Sequence, residues 1–232
     1  MTITFPYLRA IIMAMMMVFT VTAHADVVKG IAAYEAGDYQ TALNEFHKSA
    51  DEGDADAQYY IGVLYHFGYI VEQDDKEAVK WYRRAAEQGQ PDAQHNLGQM
   101  YSKGRGVEQD DQEAAVWYHR AADQGDVLAQ LNLGFMYSKG RGVLRDYKQA
   151  AAWFRRAAQQ GNAIAQYNLG LSYAKGEGVL QDYNCAHMWA NIGADNGHDV
   201  AVELRKTLQG LMTPPTNCRC TSHGADVFGK PV

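Results

Sequence analysis

An all-α solenoid of helix-turn-helix repeats is the fold that the sequence predicts, and three observations predict it. One stretch is written four times at a spacing of 36 residues: Gly62, Gly98, Gly134 and Gly170 fall in register, as do Tyr65, Tyr101, Tyr137 and Tyr173, and Trp81, Trp117, Trp153 and Trp189. A period between about 20 and 50 residues marks architectures in which each unit buries its apolar face only against its neighbours. Within one copy, apolar residues recur twice with helical spacing. Ala93, Leu97, Met100 and Tyr101 stand at i, i+4, i+7 and i+8, then Ala114, Trp117, Tyr118 and Ala121 at i, i+3, i+4 and i+7. Glycines and aspartates punctuate the two stripes as helix stops and starts.

The first element, residues 1–25, reads as a signal peptide. It carries one charge, Arg9, an apolar run from Ala10 to Val21, and the small-residue pattern Ala23-His24-Ala25 before Asp26. The run is shorter than the roughly 20 residues a bilayer span needs. The expectation is therefore cleavage after Ala25, a periplasmic or secreted protein, and no membrane insertion after cleavage. No cysteine follows the run to take a lipid. Residues 26–56, with Ile31, Tyr34, Tyr39, Ala42, Phe46 and Ala50, are expected to form a shorter hairpin that caps the solenoid. The repeats then occupy 57–92, 93–128, 129–164 and 165–200. A capping helix over 201–212 follows, with Val200, Leu204, Leu208 and Leu211 at helical spacing, and Thr213-Pro214-Pro215 stops it. The tail, 213–232, has little apolar periodicity and is expected to be loosely ordered.

Inside a repeat, Gly104 is expected to end the first helix in the left-handed conformation. Asp110, in register with Asp74, Asp146 and Asp182, should cap the second, with Glu77, Glu113 and Gln149 completing capping boxes that Cys185 breaks. The second helices end at Gly89, Gly125, Gly161 and Gly197. Pro91, Asp126 or Asn162 then opens the next unit. Gly98 is expected to face Ala114 and Ala121, with Tyr101 and Trp117 filling the wedge between units.

The run Ala-x-x-x-Leu-Gly-x-x-Tyr-x-x-Gly-x-Gly-Val, followed by Ala-x-x-Trp-Tyr-x-x-Ala-Ala-x-x-Gly, closely resembles the Sel-1-like repeat, a relative of the tetratricopeptide repeat. The resemblance covers residues 57–200. The first copy departs from it at Ile70, where the others have glycine, and the last at Cys185, Ile192 and Gly193. It implies a right-handed superhelix that binds proteins or peptides along its concave face, as bacterial envelope adaptors do.

Composition narrows the function. The chain has 21 basic and 27 acidic residues, a net charge of −6. Removing residues 1–25 takes away only Arg9 and makes the balance one unit more negative. Basic pairs such as Arg83-Arg84 and Arg155-Arg156 are interleaved with acids, so nucleic acid is not an expected partner. Cys185, Cys218 and Cys220 form an odd set near the C-terminus, so the repeats must cohere without bridges. A disulfide between Cys185 and either tail cysteine suits an oxidising compartment.

Three constellations could carry chemistry. The glycine turns superficially resemble phosphate loops, but no Gly-Lys-Ser/Thr follows and each leads out of a helix, which marks a helix stop. Ser172-Tyr-Ala-Lys175 has the Ser-x-x-Lys form of penicillin-recognising enzymes, without the partner motifs Ser-Asp-Asn or Lys-Thr-Gly. It supports the competing reading, an envelope hydrolase or penicillin-binding activity on β-lactam or peptidoglycan. Cys218, Cys220 and His223 are three metal-competent ligands without a visible fourth. No cofactor is expected. His66, His95, His119 and His187 read as surface or partly packed helix residues.

The binding surface is the favoured site. By the resemblance, the inward row of the first helices is Tyr59, His95, Leu131 and Tyr167, with Val63, Gln99, Phe135 and Leu171 one turn later. Asn96, Asn132 and Asn168 run beside it. An amide offers both donor and acceptor, so these asparagines could hold the main chain of an extended peptide while the apolar row takes its side chains. They could equally bond within their own hairpins. The row varies between copies while core positions do not, as expected where a partner dictates the residue. The expected function is a non-catalytic scaffold for a protein or peptide partner.

Overall fold

The structure, a computed structural model, describes residues 26–69 and 72–211. The chain is an all-α repeat solenoid, and no strand occurs among the described residues. Helix α1 is described over residues 26–35. It is followed by α2 (Tyr39–Asp51), α3 (Ala55–Phe67), α4 (Asp75–Glu87), α5 (Pro91–Lys103), α6 (Asp111–Asp123), α7 (Val127–Lys139), α8 (Tyr147–Gln159), α9 (Ala163–Lys175), α10 (Tyr183–Asp195) and α11 (Asp199–Gln209). The chain divides into two compact units between Gln109 and Asp110, so α1–α5 belong to the N-terminal unit and α6–α11 to the C-terminal one. Within each, helices consecutive in the chain pack on one another.

The stop and start signals act as the sequence predicts. Gly68, Gly104, Gly140 and Gly176 end the first helices of the four hairpins in the left-handed region, with φ of 65° at Gly104. Asp74, Asp110, Asp146 and Asp182 each accept two backbone amides at the start of a second helix. The reciprocal half of the expected capping box does not form. The amides of Asp74, Asp146 and Asp182 donate instead to the carbonyls of Tyr65, Tyr137 and Tyr173 at 3.0 Å. The loop thus folds the cap back onto the preceding helix, and Glu77 is released to pair with Lys80 at 2.6 Å.

Two equivalents of Gly98 meet rings: Gly62 faces the Tyr82 ring and Gly134 the Phe154 ring, where an added Cβ would stand 2.7 and 2.4 Å from ring carbons. The ring occupies the notch that the missing side chain leaves. In the last repeat the ring is absent because Ala190 stands there. The backbone closes in, with the Gly170 Cβ position 3.1 Å from the Ala186 carbonyl oxygen. One glycine position thus serves two packing solutions.

The second turn glycine joins successive hairpins. A Cβ on Gly142, whose φ is +66°, would sit 2.0 Å from the Asp111 carbonyl oxygen at the start of α6. Beside it Arg141 Nη2 pairs with Asp111 Oδ1 at 2.6 Å, and in the N-terminal unit Arg105 pairs with Asp75 at 2.9 Å. At the corresponding positions of the first repeat, Tyr69 stacks on Tyr39 with centroids 4.6 Å apart and an interplanar angle of 13°. Ile70 lies outside the described residues. At the C-terminal end, α11 buries Ala201 and Leu208 and half-buries Leu204. Val200 and Leu211, expected on the same stripe, are exposed, because the buried spacing is i, i+3 and i+7 from Ala201.

Candidate functional site

First helices are held in place by a row of buried glutamines that sequence reading did not single out. Gln58, Gln94, Gln130 and Gln166 donate their side-chain amides to the carbonyls of Ala50, Ala86, Ala122 and Ala158, at the end of the preceding second helix. Their own carbonyls accept from Gln88, Gln160 and Asn196 at 2.8, 2.9 and 2.9 Å for Gln58, Gln130 and Gln166. A buried amide satisfied on both sides fixes the helix start while leaving no polar group stranded. The signal was the recurring Ala-Gln at positions 57–58, 93–94, 129–130 and 165–166.

The recurrent tyrosines fix the other end. Arg83 donates to the Tyr101 hydroxyl, Arg155 to that of Tyr173 at 2.9 Å, and His119 Nε2 lies 2.9 Å from that of Tyr137. Each bond runs from a second helix to the first helix of the next hairpin. The face that these first helices present is therefore positioned from both ends.

The predicted binding residues divide on that face. Val63, His95 and Leu131 are 6%, 7% and 7% exposed, which makes them packing residues; Leu131 belongs to the core around Phe154 and Leu169. The others remain half-buried and reachable: Tyr59, Asn96 and Gln99 in the N-terminal unit, and Asn132, Phe135, Tyr167, Asn168 and Leu171 in the C-terminal unit. Tyr59 lies against Tyr60 and Tyr82, with centroids at 5.3 and 6.0 Å. Burial pushes its phenol pKa up to about 12, helped by the Asp92 charge. Phe135 meets the Phe154 ring edge to face at 5.4 Å, with Lys139 Nζ 5.8 Å from its centroid. Tyr167 meets the His198 ring at 4.9 Å. Asn168 donates to the Ile164 carbonyl of its own helix at 2.7 Å, the within-hairpin alternative.

The remaining motifs fall in different places. Ser172 is 7% exposed and its hydroxyl donates to the Asn168 carbonyl at 3.0 Å, inside the last turns of α9, while Lys175 is exposed. His66, read as a surface or partly packed residue, is partly packed and bonds Asp75 through Nδ1 at 2.8 Å. Cys185 is buried and disulfide-bonded. Cys218, Cys220 and His223 lie outside the described residues, as do residues 1–25 and the Thr213-Pro214-Pro215 stop. Among the described residues, no group of three His, Cys, Asp or Glu side chains is placed to hold a metal ion, and no helix is long and apolar enough to cross a membrane.

The hairpin geometry has known counterparts. The Sel1 repeat is matched four times in succession, over residues 55–90, 91–126, 127–162 and 163–198. The antigen c5321 of uropathogenic Escherichia coli, described as a protective antigen displaying an SLR fold, is 37% identical, with a TM-score of 0.78. The likeness covers 82% of this chain and 42% of that one, so this chain spans less than half of that protein's length. A Sel1 repeat protein from Oxalobacter formigenes is 38% identical with a TM-score of 0.72, covering 80% of this chain and 76% of that one. A sel1 repeat protein from Klebsiella pneumoniae shares the fold at 24% identity and a TM-score of 0.52, covering 81% of this chain and 93% of that one. No curated protein matches the chain. Four matched repeats, stacked as hairpins on glutamine and tyrosine bridges, establish that the chain belongs to the Sel1 repeat family, whose members are generally non-catalytic protein-interaction scaffolds.

Proposed function

We propose that this protein is an envelope scaffold that holds a protein or peptide partner on its first-helix face by recognition alone. The observation that carries the reading is the contrast in burial along that face. Core positions such as Ala129, Leu133 and Leu169 are sealed, whereas Asn132, Phe135, Tyr167 and Leu171 stay half-exposed, and in the registers of Phe135, Tyr167 and Leu171 the residue changes from copy to copy. A row of apolar and amide side chains on rigid helices suits an extended segment, whose backbone needs donors and acceptors and whose side chains need apolar seats. Support for the envelope comes from the leader-like residues 1–25 and from the disulfide at Cys185, since disulfides persist in oxidising compartments.

The test uses the protein as bait in an envelope extract, followed by titration of the captured partner against purified variants. Asn132→Arg with Leu171→Glu is expected to weaken binding at least about tenfold with an unchanged melting temperature, because both side chains are reachable and neither is core. Undiminished binding would place the partner on another surface. Amino-terminal sequencing of protein recovered from the periplasm is expected to begin at Asp26.

A further inference from the structure

Tyr34, Tyr59 and Tyr60 form a continuous aromatic surface on the N-terminal unit, with Tyr60 5.8 Å from Tyr34 and 5.3 Å from Tyr59 between ring centroids. Tyr60 stacks one face on Phe46 at 4.9 Å, and all three rings are half-buried, so each is held in place yet stays partly open to solvent. Three exposed carboxylates, Glu35, Asp56 and Asp92, lie near enough to Tyr60 for their charges to act on it. Burial and then the charges of these three raise the Tyr60 phenol above its ordinary pKa. Among the described residues none of the three is paired with a cation; Asp56 and Asp92 receive only the Gln90 amide, at 3.4 and 3.2 Å. Beneath the surface the Tyr82 hydroxyl is buried without a hydrogen-bond partner. The half-exposed Asn96 amide lies beside the Tyr59 and Tyr82 hydroxyls, without a bond of full geometry to the latter.

These features ask for one kind of group. Ring faces attract a cation, unpaired carboxylates attract a positive charge, and an amide can turn its NH2 inward to Tyr82 and its carbonyl outward to a donor. A guanidinium meets all three demands best because it is planar, weakly hydrated, permanently charged and carries five donors; an ammonium is a compact, strongly hydrated point charge that gives up its water less readily and cannot stack. We propose that the N-terminal unit binds an arginine side chain of a basic, extended segment of its partner on the Tyr34–Tyr59–Tyr60 surface, between Glu35, Asp56 and Asp92. The inference rests on the scaffold reading and names the partner chemistry at its N-terminal end.

The probe is a fluorescein-labelled peptide of about twelve residues, with three arginines among glycine and serine, titrated into the protein by fluorescence anisotropy. Lysine and glutamate versions serve as controls. The arginine peptide is expected to bind, the lysine peptide at least about threefold more weakly, and the glutamate peptide not at all. Glu35→Gln with Asp56→Asn and Asp92→Asn is expected to weaken arginine binding at least about tenfold and to abolish its loss between about 50 and 500 mM salt. A thermal melt matching the parent shows that these exposed changes leave the fold intact. No binding of the arginine peptide, equal binding of the lysine peptide, or equal binding by the triple variant overturns the proposal. If partner capture still depends on Leu171 in that event, the scaffold reading stands and only the arginine site falls.

Discussion

Gly134 is a residue whose missing side chain is filled by another's ring. Alanine is the better helix former by roughly 1 kcal/mol, yet its Cβ would stand 2.4 Å from the Phe154 ring in a closed core. Overpacking of this kind costs about 1–3 kcal/mol, so Gly134→Ala is expected to destabilise by about 1 kcal/mol in urea denaturation. Adding Phe154→Leu should recover part of the loss, because the ring is what the methyl meets. His119 offers a prediction in pH. Burial against Trp153 and Tyr137 holds its imidazole below the ordinary pKa, with the Asp123 charge opposing the shift. The unfolded chain takes up a proton below about pH 6.5, whereas the folded state resists until its lower pKa. The contribution is therefore complete above about pH 6.5 and lost as pH falls through that window. The denaturation midpoint is expected to drop between about pH 7.5 and 5.5. His119→Arg should flatten that drop, since Arg83 and Arg155 make the same tyrosine bond in the neighbouring copies without titrating. What the sequence left unread at this scale was direction: periodicity placed Gly98 and its equivalents on an inner face but did not say that Tyr82 or Phe154 would fill the notch.

At the scale of the element, α2 to α10 each span 13 residues and the copies repeat every 36, so the tyrosine bonds recur at an offset of 18 and the glutamine and Arg–Asp bonds at an offset of 30. Helix starts and stops were legible because they are local: a left-handed glycine and an aspartate cap act within one turn. Val63, His95 and Leu131 illustrate what was not. Their helical spacing matched the receptive row, but the folded chain buries them, and burial depends on packing angles that one helix does not encode. The glutamine bridges were missed for a related reason, since Gln58 and Gln88 or Gln130 and Gln160 stand 30 residues apart and no single stripe links them. Their contribution can be measured. Gln130→Leu removes the donor to Ala122 and the acceptor for Gln160, while both partners keep one other backbone contact. The expected cost is about 1–2 kcal/mol. Gln130→Glu should cost more at neutral pH, because it aims a buried carboxylate oxygen at a carbonyl oxygen. A smaller penalty for Glu than for Leu would mean that the amide donor is not what orders this end of α7.

Across the whole molecule, the most exposed register positions change chemistry from the N-terminal unit to the C-terminal one. At the second residue of the first helices stand Asp56 and Asp92, and then Leu128, Ile164 and Val200. In the turns stand Glu72 and Glu108, and then Leu144 and Leu180, which are 91% and 84% exposed. Packing does not explain these leucines, because side chains so exposed cover nothing in their own unit, and the repeat tolerates glutamate at the same place. They give the C-terminal unit an apolar edge where the N-terminal unit has carboxylates, and apolar side chains projecting from turns favour association. Leu144→Glu with Leu180→Glu is therefore expected to leave stability within about 0.5 kcal/mol while lowering dye binding to exposed apolar surface and self-association at high concentration, read by sedimentation. Because the substituted residue is the one the first two repeats already carry, a large loss of stability would show that these turns pack against something in the folded chain. Unchanged sedimentation and dye binding would instead assign the apolar character of the unit to Leu128, Ile164 and Val200 on its helices.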